Sequence, residues 1–201
     1  AVYGSIKKNK ILENNFKSPQ SPYGKSKLKA EIFIKKFLKN SKINFIILRL
    51  FNVAGANEKL KLGPYNSKYN HIFNKLIRNN KFKIYGTNYN TLDGTAVRDY
   101  VHPNDVANAF YKSLVENNSF HVYNVGSEKN NSTIKKISDL IKNKINNLQV
   151  DVSDIITDER DYKVSFDRIK NDLKFDCKYD LDNGIDHMIS NLSNIDKINI
   201  D

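Results

Sequence analysis

Nine residues constrain this chain more than any others: Ile43-Asn44-Phe45-Ile46-Ile47-Leu48-Arg49-Leu50-Phe51 is almost uninterrupted apolar, β-branched and aromatic sequence. The run is too short to cross a bilayer as a helix, and its lack of alternation suits a central parallel strand buried on both faces. Upstream, Ser21-Pro22 is a helix opening. The serine hydroxyl can accept from a first-turn amide, and proline is pre-set for the first helical position. The helix is expected to run to about residue 40. A helix feeding a buried strand is part of an α/β alternation, and the chain continues it. Further helices are expected over 69–79, 104–115 and 133–145, the last opened by Ser132, with strands over 82–85 and 121–125. Two more helices fall near 167–173 and 181–192. The segments 57–70 and 86–97 are rich in Gly, Asn, Pro and Thr and read as candidate ligand loops.

Composition narrows the class. Hydrophobic residues at 39 % and aromatics at 11 % are enough for a packed core, and 201 residues correspond to one or two domains. No run has the length of a membrane span and the first residues lack signal-peptide character, so a cytoplasmic protein without a membrane partner is expected. The single Cys177 excludes an internal disulfide and reads as a small, partly buried residue. A net charge of +11 invites a nucleic-acid partner, the different-class alternative being a non-catalytic basic RNA-binding module. The lysines are scattered from Lys7 to Lys197 and interleaved with Asn, however, which suits a solvated surface, and no nucleic-acid partner is expected.

Chemistry is suggested first by Tyr23 and Lys27, spaced i, i+4 on the first helix and so presented on one face. An ammonium beside a phenol lowers the phenol's pKa and prepares it to take a hydroxyl proton. Tyr3 and Lys7 share that spacing, so context must decide. Ala1-Val2-Tyr3-Gly4 followed by Ser21-Pro22-Tyr23-Gly24-Lys25-Ser26-Lys27 resembles the active-site segment of extended short-chain dehydrogenases. Leu48-Arg49-Leu50-Phe51-Asn52-Val53-Ala54-Gly55-Ala56 resembles the strand and loop that follow it in UDP-glucose 4-epimerases. Ile84-Tyr85-Gly86-Thr87-Asn88-Tyr89 and the stretch from Asp93 to His102 resemble that family's most distinctive signature. Three motifs in order and at the right separations carry the resemblance, which loosens after Asn130.

The resemblance implies an α/β fold: the C-terminal part of a Rossmann-type parallel sheet plus a smaller substrate-binding region. Residues 1–56 would be the remaining part of the NAD-binding domain and 57–201 mainly the nucleotide-sugar-binding region, with 103–125 returning to the Rossmann sheet. It also implies NAD as cofactor, a UDP-sugar as substrate and a homodimer at full length. Tyr23 and Lys27 become the catalytic pair, and Phe51 meets the nicotinamide end. Asn52 would bond the substrate's phosphate or sugar, Tyr85 would lie against the uracil, and His71 would fall in the nucleotide site. Val164 would stand beside the sugar.

Arginine usage points the same way. There are only five arginines, and bidentate recognition of phosphate oxygens is the usual reason to keep a planar fork. Arg98 and Arg160 match the places where the family clamps the pyrophosphate. Arg49, closing an apolar strand, reads as structural, and Arg78 and Arg168 as surface. His102 reads as a satisfied structural residue, and His121 and His187 carry no motif. No His, Asp and Glu cluster has metal-ligand spacing, so no metal is expected.

The family's glycine-rich first turn, which cradles a dinucleotide pyrophosphate, has no match here. The expectation is an N-terminally truncated enzyme, inactive on its own, whose complete form epimerises C4 of a UDP-hexose through a transient 4-keto sugar. Another nucleotide-sugar epimerase, a 4,6-dehydratase or a reductase on the same scaffold is the nearest alternative.

Overall fold

Local chemistry fixes the first long element. Ser21 is extended, its hydroxyl accepts from the Gly24 amide at 3.0 Å, and Pro22 starts helix α1. The computed structural model describes residues 1–5, 10–57, 59, 62–63, 81–115, 121–155 and 163–195. In chain order the elements are β1 (Lys10–Ile11), α1 (Pro22–Leu38), β2 (Ile46–Leu50), β3 (Asn52–Val53), β4 (Lys81–Tyr85), β5 (Val97–Arg98), β6 (Tyr100–Val101), α2 (Pro103–Val115), β7 (His121–Val125), β8 (Ser132–Thr133), α3 (Ile134–Lys142), β9 (Gln149–Ser153), β10 (Lys163–Val164), α4 (Asp167–Leu173) and α5 (Leu181–Ile195). The helix expected over 69–79 lies outside the described residues.

Parallel pairing dominates. β2 lies beside β7 with Ile46 opposite His121 and Leu50 opposite Val125. β1 pairs with β10, β3 with β6 and β4 with β9, all parallel, while β5 and β8 are antiparallel. Parallel partners need crossover connections, and here helices supply several of them.

Two sequence expectations are corrected. β2 is shorter than the apolar run and is not buried on both faces. Ile43 is exposed, Leu50 is 42 % exposed, and Ile47 and Leu48 line a groove beneath α1. The second correction concerns α3, whose cap is Thr133: its hydroxyl accepts from the Lys136 amide at 3.2 Å, while Ser132 is used by β8, opposite Arg98.

Two apolar clusters form the core. One gathers Tyr3, Val101, Tyr123, Val125, Phe166 and Ile169. The other includes Ile84, Tyr100, Ile137, Ile141, Ile185 and Met188. Adjacent residues of β6 divide between them, Tyr100 into the second and Val101 into the first, as strand alternation requires. Ile137 and Ile141, one turn apart on α3, are both fully buried.

Candidate functional site

The ends of several elements converge on one cleft of about 250 Å³. Tyr23 comes from the first turn of α1, Leu50, Phe51 and Asn52 from the carboxyl end of β2 and the start of β3, and Arg98 and Asp99 from β5 and the residue after it. Ala1, Val97, Asn131 and Val164 complete the wall. Ligands of open α/β sheets bind outside the carboxyl ends of parallel strands, and Leu50-Phe51-Asn52 occupies that place on β2.

A second groove of about 370 Å³ adjoins the first. It shares Ala1, Tyr23, Leu50 and Phe51 with the cleft and adds Lys27, the apolar Ala30, Ile34, Ile47 and Leu48, and, at its base, the paired Glu31 and Arg49. Tyr23 therefore stands in a wall common to a polar chamber and an apolar one, with 63 % of its surface exposed. Lys27 Nζ lies over the Tyr23 ring, 5.2 Å from its centroid, close enough for cation–π attraction. Phe51 is held edge-on to Phe166, with ring centroids 5.6 Å apart.

The polar chamber has a firm floor. The Asn52 side-chain amide donates to the Asp99 carbonyl at 3.0 Å. The Asp99 carboxylate accepts from the backbone amides of Ser127 at 2.8 Å and Glu128 at 2.7 Å. Burial pushes its pKa from the usual carboxylate range up to about 6, even though those two amides favour the charged form. Arg98 Nη1 donates to the Val97 carbonyl at 2.7 Å, which folds the guanidinium back against its own strand in the cleft wall.

The structure thus brings together Tyr23, Lys27, Phe51, Asn52 and Arg98. It does not place Tyr85 in the described wall of the cleft. β4 alternates exposed Lys81, Lys83 and Tyr85 with buried Phe82 and Ile84, so the Tyr85 ring faces solvent, with Lys83 Nζ 5.5 Å from its centroid. His71 and Arg160 lie outside the described residues. Reasoning from sequence missed Asp99 and Asn131. Asp99 carried a usable signal in its place next to Arg98 inside the signature, whereas nothing local marked Asn131.

Residues read as structural are so. His102 is buried, stacked on Tyr179 at 4.2 Å between centroids, and accepts the Asn104 amide at Nδ1. Burial, reinforced by His187, pushes its pKa down to about 4. Gly55, at φ +144°, packs directly on that imidazole, where any Cβ would collide. Arg49 is buried in ion-pair contact with Glu31. The Cys177 thiol, pushed up to about 12 by burial, donates to the Gly126 carbonyl.

With a Tyr-x-x-x-Lys helix set against a parallel strand and a shared two-chambered site, the class can be stated: residues 1–126 match the NAD dependent epimerase/dehydratase family, and the chain belongs to it. It is 38 % identical over 135 residues to a UDP-glucose 4-epimerase of Streptococcus mutans, a match covering 63 % of this chain and 40 % of that one. It is 36 % identical over 143 residues to a putative UDP-arabinose 4-epimerase of Arabidopsis thaliana, covering 66 % of this chain and 34 % of that one. The chain thus spans less than half the length of either relative. The crystal structure of UDP-glucose 4-epimerase from Brucella ovis in complex with NAD superimposes with a TM-score of 0.84 at 26 % identity, over 94 % of this chain and 61 % of that one. The fold is of the Rossmann type. Among the described residues no helix is long and apolar enough to cross a membrane.

Proposed function

We propose that this protein is an NAD-dependent isomerase that inverts C4 of a UDP-hexose of the glucose/galactose kind. The observation that carries the reading is the position of Tyr23 in the wall between a chamber holding Asn52 and Arg98 and a groove holding Lys27 and apolar side chains. A nucleotide sugar entering the first chamber and a planar ring entering the second would meet at the Tyr23 hydroxyl.

In this reading Tyr23 Oη takes the proton of the sugar's 4-hydroxyl and gives it back after the sugar has turned over as a 4-keto species. The nicotinamide, when bound, supplies the redox chemistry by accepting and returning a hydride. The residues present fit that end of the dinucleotide: Lys27 is placed for its ribose, and Phe51, Ile34 and Leu48 make a dry wall for a flat ring. Arg98 and Arg160 are assigned to the pyrophosphate, Asn52 to phosphate or sugar and His71 to the nucleotide, and the solvent-facing Tyr85, outside the described wall of the cleft, to a uracil that extends beyond that wall. Holding the nucleotide firmly and the sugar loosely is what permits the turn. That division uses remote binding energy to support chemistry at the reacting carbon.

Residues 1–56, with 103–125, are proposed as the cofactor-binding part and the remainder as mainly the nucleotide-sugar part, in a cytoplasmic homodimer. The similarity to the plant protein named for UDP-arabinose favours a pentose as a second substrate class. The test uses the full-length polypeptide. Tyr23→Phe keeps the ring but removes the proton acceptor, so turnover should fall steeply while UDP affinity stays unchanged. Near-normal turnover in that variant contradicts the assignment of the base.

A further inference from the structure

Helix α1 is seated on the body of the protein in an unusual way. Its buried positions are a glycine, Gly24, and a glutamate, Glu31, with no fully buried apolar side chain among them. An apolar stripe normally fixes how a helix is rolled about its axis. Here Leu28 packs only partly buried against the core while Ile32, Phe33 and Phe37 are exposed, and a polar lock supplements that slight apolar contact. The Arg49 guanidinium, from β2, grips Glu31 with both arms: Nε donates to Oε1 at 2.8 Å and Nη2 to Oε2 at 2.7 Å. Both residues are only 7 % exposed.

The remaining guanidinium nitrogen of Arg49 is held as tightly. Nη1 donates to the Tyr3 hydroxyl at 2.6 Å and to the Glu13 carbonyl at 2.9 Å. Tyr3 donates in turn to Asn124, which lies opposite Arg49 on the neighbouring strand β7, and the Asn124 amide is bonded by the Glu13 carboxylate. Burial pushes the Tyr3 phenol up to about 12, so it remains a donor. The guanidinium is therefore fixed on the strand side before it meets the helix.

Tyr23, Lys27 and Glu31 succeed one another at intervals of four residues and share one side of α1. We propose that Arg49 and Glu31 are positioning residues: their two-armed ion pair sets the rotation of α1 and so aims Tyr23 and Lys27 into the two chambers. Side-chain tips sit roughly 5–6 Å from a helix axis, so rolling α1 by about 30° would carry the Tyr23 hydroxyl about 3 Å. A misplacement of about 1 Å can cost about 100-fold in rate. Buried ion pairs add little net stability compared with apolar replacements of similar size, and a geometric role explains why one is used here.

The proposal rests on Tyr23 and Lys27 being the reacting pair, and its test separates the two claims. The full-length polypeptide is compared with a paired apolar replacement, Arg49→Met with Glu31→Leu, and with Arg49→Lys. Because both charges leave together, the paired variant is expected to unfold near the wild-type temperature. Its kcat should fall about 100-fold with KM for the UDP-sugar unchanged, since Asn52 and Arg98 are not on α1. Arg49→Lys, which retains a cation, should recover part of kcat. Independently of activity, the fluorine resonance of 3-fluorotyrosine at position 23, assigned through Tyr23→Phe, should shift or broaden in the paired variant. If the paired variant does not fold, Glu31→Gln, which keeps the shape and one acceptor, is read in the same two ways. A folded variant with wild-type kcat and an unmoved resonance overturns the proposal. A wild-type protein without epimerase activity whose resonance nevertheless moves in the variant leaves the positioning role standing and removes the functional reading.

Discussion

Replacing Asp99 by asparagine should change how stability depends on pH. The carboxyl is 7 % exposed and lies against the cleft floor, where burial raises its pKa from 3.8 to about 6. Unfolding returns it to water. Between these two values the folded state binds more protons than the unfolded state, so the stability contributed at Asp99 falls as pH rises through that window. Above about pH 6 both states are ionised and the full cost of the buried charge is present. At about 1.4 kcal/mol per pH unit of difference, that cost is roughly 3 kcal/mol. Asp99→Asn abolishes the titration while keeping the size. It also leaves one of the Ser127 and Glu128 amides facing an NH₂ group, a penalty of about 1–3 kcal/mol that does not vary with pH. The measurable quantity is therefore a slope. In urea titrations of the full-length polypeptide, stability of the wild type minus that of Asp99→Asn should rise by roughly 2 kcal/mol between about pH 7 and about pH 4, the remainder appearing only below the unfolded value. Other carboxylates titrate in both proteins and cancel. A difference that stays flat across the window would refute the claim that burial, rather than the two amide bonds, governs this carboxyl.

Two further substitutions test separate parts of the account. Arg98→Lys should weaken UDP binding to the full-length polypeptide by about 1–3 kcal/mol, because a point ammonium cannot reproduce the planar fork; equal affinities by calorimetry would remove Arg98 from the site. Thr133→Ala should destabilise the fold by about 1 kcal/mol through loss of the α3 cap, and Ser132→Ala should cost less. Thermal denaturation that ranks the two the other way would restore the serine as the cap.

How much of this was legible beforehand depended on the range of the interactions involved. α1, β7 and α4 were readable because their signals are local: a Ser-Pro opening, a β-rich apolar run and a compact amphipathic pattern. β9 was not anticipated. Its Asp151 and weak apolar content disguise a strand that forms by pairing with β4, more than sixty residues earlier. The two-residue strands have no period to detect. In the site, Tyr23, Phe51, Asn52 and Arg98 were marked by motifs, and the cleft unites them. Arg49 was correctly read as structural, but its partners were hidden. Glu31 looks like any polar helix residue, Glu13 belongs to a loop, and Tyr3 showed only a coincidental spacing with Lys7. Burial created that network, and burial is a tertiary property.

The central claim is that the Tyr23 site oxidises C4 of a bound sugar and returns the same hydride to the opposite face. The most direct measurement is to incubate the full-length polypeptide and NAD with UDP-glucose carrying deuterium at C4, and to follow the label by NMR. The account predicts UDP-galactose with the deuterium still on C4 and none lost to solvent, together with a steep fall in UDP-galactose formation by Tyr23→Phe. Deuterium appearing at C6 of a 4-keto-6-deoxy product, or exchange of the C4 label with water, would contradict it.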